Sequence, residues 1–101
     1  MSEKHFMVIE TTSLKNLQVF ESTMKERGII QNIPEEDCEK GVYKRIRNLL
    51  NAQSAYLRCF KNLDFDILMR ICIICKEINE YQCHPMNVYF DMDGLSKWMN
   101  D

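Results

Sequence analysis

The chain has 101 residues, with 13 Lys and Arg against 15 Asp and Glu, for a net charge of −2. That length suits one domain with a modest core, and 46% hydrophobic with 28% charged residues excludes a disordered chain. The slightly acidic balance argues against the strongly basic domain typical of nucleic-acid binders, and no apolar run approaches the roughly 18 residues of a membrane span.

The opening MSEKHFMVIE is charged and lacks the apolar segment of a secretory signal. Five Cys, an odd number placed mostly among apolar residues, suit free thiols in a reducing compartment. The expectation is an intracellular protein of cytoplasm or nucleus. Ala occurs only at positions 52 and 55, while Ile, Asn and Lys are plentiful. Helix propensity does not explain that scarcity. An AT-rich genome does, and a small viral protein acting on a host factor fits such a source.

In chain order, His5–Glu10 (HFMVIE) is a short apolar run with a β-branched centre and predicts a strand. Thr11, Thr12 and Ser13 offer an N-cap, Leu14, Leu17, Phe20 and Met24 recur at helical spacing, and Gly28 follows Arg27 as a stop. A first helix is expected over 13–27. Ile29 and Ile30 fall in a linker before Pro34. Pro34 with Glu35, Glu36 and Asp37 reads as a helix start. The stripe Cys38, Val42, Ile46, Leu49, Leu50, Gln53, Tyr56, Leu57 and Phe60 predicts one helix over 34–61, with Gly41 costing it about 1 kcal/mol against Ala. On that helix Lys40, Lys44, Arg47, Arg58 and Lys61 would lie within about 60° of one line. Such a basic stripe is a solvated outer face, or else a dock for phosphates or an acidic partner.

Asp64 marks the start of a third helix over 65–81, FDILMRICIICKEINEY, which is apolar nearly all round. Its polar arc holds Arg70, Glu77 and Glu80, and Ile73 intrudes there. Such a helix is central in a bundle or carries a partner face. MNVYF, 86–90, predicts a second strand that can pair with the first as a two-stranded ribbon.

Three motifs bear on chemistry. Cys72, Cys75, Cys83 and His84 supply zinc-type donors, but the CxxC lies mid-helix and lacks the turn of structural zinc sites, so no metal is expected. The stretch NVYFDMDGLS, 87–96, resembles the first motif of the haloacid dehalogenase-like hydrolases. The resemblance implies a doubly wound fold, with Asp91 as nucleophile and Asp93 as general acid. Leu95 departs from the Thr or Val of that motif, and only LSKWMND follows the Gly, so the reading preferred is an Asp turn capping a last helical segment. His5 and His84 stand in opposite terminal regions, and no Ser elbow, Gly-rich loop or HExxH is present.

The expectation is a single mainly α domain over 1–101: three or four helices edged by a short ribbon, non-enzymatic and without cofactor. Its function would be protein–protein interaction of a regulatory or adaptor kind, through Ile73, Trp98, Met99, Ile29 and Ile30, with a homodimer seam as one form of that contact. The alternative is a nucleic-acid-associated helical module using the basic stripe.

Overall fold

The computed structural model describes residues 4–48, 51–81 and 85–90, including side chains except at 43, 45–48, 51 and 52. The elements run β1 (His5–Thr11), α1 (Leu14–Glu26), β2 (Cys38–Asn48), β3 (Asn51–Leu63), α2 (Phe65–Tyr81) and β4 (Met86–Tyr89). Single 3-10 turns occupy Ile30–Asn32 and Glu35–Asp37. The strands form one antiparallel sheet in the order β2-β3-β1-β4. The architecture is therefore α+β, and the mainly helical bundle expected from the sequence is corrected.

The correction falls on residues 34–61. Pro34 and its three acids open only one 3-10 turn, and the chain then becomes the β2–β3 hairpin. Residues spaced by four are in phase with a helix, and they also lie on one face of a strand. Cys38, Val42 and Ile46 satisfy both periods. The β-branched and aromatic residues Val42, Tyr43, Ile46, Tyr56 and Phe60 favour the pleated form, and sheet pairing on both sides of β3 decides it.

The two helices formed over the expected spans. Ser13 caps α1, its hydroxyl accepting from the Asn16 amide at 3.2 Å. Gly28, at φ 70, ends it: the Ile29 amide reaches back to the Met24 carbonyl at 3.0 Å and the Gly28 amide to that of Lys25 at 3.1 Å. Both are C-terminal closing bonds that need a left-handed residue at this position.

Both helices pack on one sheet face. Leu17, Phe20 and Met24 of α1 and Leu68, Ile71, Ile74 and Ile78 of α2 meet Met7, Ile9, Phe60 and Met86 from the strands. The Phe20 and Phe60 rings sit 6.4 Å apart and tilted, within the range of favourable aromatic pairs. On the opposite face Val8, Ala55 and Leu57 form a smaller buried cluster against Phe6, Cys59 and Tyr89. β1 and β4 lie side by side, with Val8 opposite Tyr89 and Thr11 opposite Met86. They are part of the four-stranded sheet and not a separate ribbon.

β3 is longer than the partner on its inner side. Its pairing with β1 stops at Thr11 opposite Tyr56, while pairing with β2 continues from Tyr43 opposite Ala55 to Asn48 opposite Asn51. From that point, among the described residues, the hairpin runs on as a two-stranded arm with no third strand.

Phe60 joins sheet and helices, so Phe60→Ala is expected to lower the unfolding free energy by about 3–5 kcal/mol, read from urea denaturation followed by circular dichroism.

Candidate interaction surfaces

The inward face of α2 is set by Leu68, Ile71, Ile74, Cys75 and Ile78, all buried. Its outward face is also apolar: Phe65, Met69 and Ile73 are 62%, 43% and 48% exposed. Spacing by four puts them in one skewed row about 12 Å long. Polar groups close the row. Arg70 lies 3.6 Å from Asp66 beside it, and Arg27 donates to Glu77 at 2.6 Å at its far end. Arg27, Ile29, Arg70 and Ile73 line a hollow of about 210 Å³ between α2 and the end of α1. Phe65 also meets the His5 ring at 5.9 Å.

Of the partner-binding residues expected from sequence, Ile73 stands in this row. Ile29 is 1% exposed and belongs to the core, because the chain folds back over α1 after Gly28. It leaves the set of surface residues, although it floors the hollow. Ile30 is half-exposed but faces a different depression, of about 220 Å³, with Met24, Cys38, Lys40 and Arg58. Trp98 and Met99 lie outside the described residues. Phe65 and Met69 were missed, although their spacing by four with Ile73 is legible in the sequence.

The basic stripe is also rearranged. Lys40, Lys44 and Arg47 belong to β2, whereas Arg58 and Lys61 belong to β3, so no helical line joins them. Arg58 is engaged by Glu21 of α1 at 2.5 Å and by the Leu57 carbonyl at 2.9 Å. Lys61 donates to Glu39 at 2.6 Å, and this bond holds its ammonium above the usual range. Lys40 and Lys44 are exposed and form no ion pair among the described residues.

Cys72 and Cys75 face the core side of α2, half-buried and buried. Cys83 and His84 lie outside the described residues, and among the described residues no group of three metal-type donors forms. Asp91, Asp93 and Leu95 also lie outside them. β4, which precedes them, is an antiparallel edge strand paired with β1, whereas the hydrolase resemblance implies a parallel, doubly wound sheet. Glu10 is a buried carboxylate on the face away from the helices, accepting from the Asn87 side-chain amide at 3.1 Å. No described helix is long and apolar enough to cross a membrane.

No protein-family model matches the chain, and no curated protein does. Among solved structures, CutA from Synechococcus elongatus, complexed with Bis-Tris, aligns at TM-score 0.50 and 10% identity, over 99% of this chain and 95% of that one. Two de novo designed proteins are also similar: Foldit4, at TM-score 0.47 and 16% identity over 89% and 98% of the two chains, and Ferredog-Diesel, at 0.45 and 13% over 88% and 86%. The likeness to CutA is one of fold. It places the chain among ferredoxin-like α+β folds.

Burial pushes the Cys75 thiol up to about 12, with Cys72 adding to the shift. The folded state then keeps a proton that the unfolded chain releases near 9, so stability is full below pH 9 and falls above it. A loss of about 1.4 kcal/mol at pH 10 is expected from this group. Urea denaturation at pH 8 and pH 10 should show a smaller pH difference for Cys75→Ala than for the wild type.

Proposed function

We propose that the protein is a non-enzymatic interaction module that docks a separate protein through the outer face of α2. The observation that carries this reading is the exposed row Phe65–Met69–Ile73 on a helix whose opposite face already fills the core. A lone exposed apolar residue is ordinary. Three in a row, beside a hollow and bounded by two ion pairs, form a patch with an apolar centre and a polar rim, the anatomy of an interface. Burying the exposed halves of these side chains would contribute roughly 1 kcal/mol each. Obligate homodimer interfaces are larger and more apolar than those of standard complexes, whereas this row is short and rimmed by charge. The occupant proposed is a different protein, whose own apolar residues enter the hollow and whose polar groups meet Arg70 and Glu77.

The test is reconstitution with a purified partner, first isolated from the native source on the tagged chain. Met69→Glu with Ile73→Glu should weaken its binding at least about tenfold, with the urea midpoint little changed because both positions are half-exposed. Unchanged affinity in that double variant places the interface elsewhere. Sedimentation of the chain alone is expected to show a monomer. A dimer that the same double variant dissolves would make the occupant a second copy.

A further inference from the structure

The hairpin carries a charge that the rest of the molecule opposes. Between Glu39 and Asp64 there are six Lys or Arg and not one acid. At the chain's average density, 24 such residues would hold about three or four acids. Counting Glu39, residues 38–63 carry a net +5, and since the whole chain is −2, the remaining residues sum to −7. The segregation goes further within the hairpin. Arg58 and Lys61, near the body, are engaged by Glu21 and Glu39. The arm beyond the last β1 pair, residues 43–55, holds Lys44, Arg45 and Arg47 with no acid, and Lys40 stands at its base.

The strand register sets this segment apart from the rest of the sheet. Among the described residues, pairs from Tyr43 opposite Ala55 to Asn48 opposite Asn51 have no third strand beside them. With strands about 4.8 Å apart, two strands with their side chains make a ribbon about as wide as the roughly 12 Å major groove of B-form DNA. Along the arm stand Asn48, Asn51, Gln53 and Ser54, residue types able to donate and accept at base edges or phosphates. The narrow major groove of duplex RNA does not admit such a ribbon.

From this we infer that the β2–β3 arm is a site for double-stranded DNA. The ribbon lies in the major groove, and Lys40, Lys44, Arg45 and Arg47 neutralise phosphates on its walls. The net-negative body repels the same polyanion at short range and confines contact to the arm. The surface is separate from the row on α2, and its test does not depend on the identity of a protein partner.

The experiment is fluorescence-anisotropy titration of the full chain with a 20-base-pair DNA duplex from 50 to 200 mM salt. Parallel titrations use the matching RNA duplex, single-stranded DNA, heparin and anionic vesicles. Four phosphate contacts predict a log–log salt slope of roughly −3 to −4 and about a hundredfold loss of affinity across that range. Lys44→Gln with Arg45→Gln and Arg47→Gln should remove most of the slope. Arg45→Lys with Arg47→Lys should retain it, since phosphate neutralisation needs the charge and not the guanidinium. Circular dichroism of each variant should match the wild type. The inference fails if the duplex does not bind at 50 mM salt, or if the triple variant binds as well as the wild type. It also fails if duplex RNA, single-stranded DNA, heparin or vesicles bind as tightly as the DNA duplex, because the arm would then be a general anion surface or serve a different partner.

Discussion

β3 pairs on both sides, with β1 through residues 56–63 and with β2 through 51–60, and the rest of the molecule is arranged around that fact. Its helix-side residue Phe60 ties the sheet to α1 through Phe20. Its opposite-side residues Ala55 and Leu57 anchor the smaller cluster. β3 has 13 residues where β1 has seven, so the inner ladder runs out before the outer one does. The arm is the geometric remainder, and its position at the edge follows from strand length and topology.

The two helices divide the sheet unevenly. α1 spans the inner strands toward the β2 side, and α2 packs toward β4, where the Asn79 side chain exchanges hydrogen bonds with the Met86 backbone at 2.7 and 3.1 Å. Nothing among the described residues covers the outer side of α2. Its apolar outer row is thus open to water, while an equally apolar inner row is sealed. One helix satisfies both the core and a surface, which is why its sequence reads as greasy all round.

How much of this could be read from the residues depends on whether a local signal was unique. α1 was legible because Ser13 and Gly28 are cap residues whose roles do not depend on distant partners. α2 was legible from length and composition, β1 from its β-branched centre and β4 from a short, mostly apolar run. The hairpin was not, because Cys38, Val42 and Ile46 fit a period of 3.6 as well as a period of 2. What decides between those periods is pairing with strands far away in sequence. The same ambiguity decided the sites. Ile73 was found as an apolar intruder in a polar arc, a property of the helix alone. Ile29 was misplaced because its burial depends on how the chain doubles back after Gly28. The basic residues were recognised as a set, but their shape became a ribbon and not a line on a helix.

The cations of β2 also act on the edge they occupy. β2, of 11 residues, is an edge strand of the described sheet, and an open edge offers amides and carbonyls to any similar strand, with edge-to-edge association as the usual consequence. With Lys40, Lys44, Arg45 and Arg47 on this strand, a second copy brought alongside would set cations against cations, a pairing that like charge destabilises. The charge that keeps the edge from pairing with itself leaves its backbone open and its surface positive. For a partner of opposite charge, that combination is an attraction and not a barrier. The acid-free arm and the acidic body thus belong to one arrangement: self-association through the arm is opposed, and the association that remains favourable is with opposite charge.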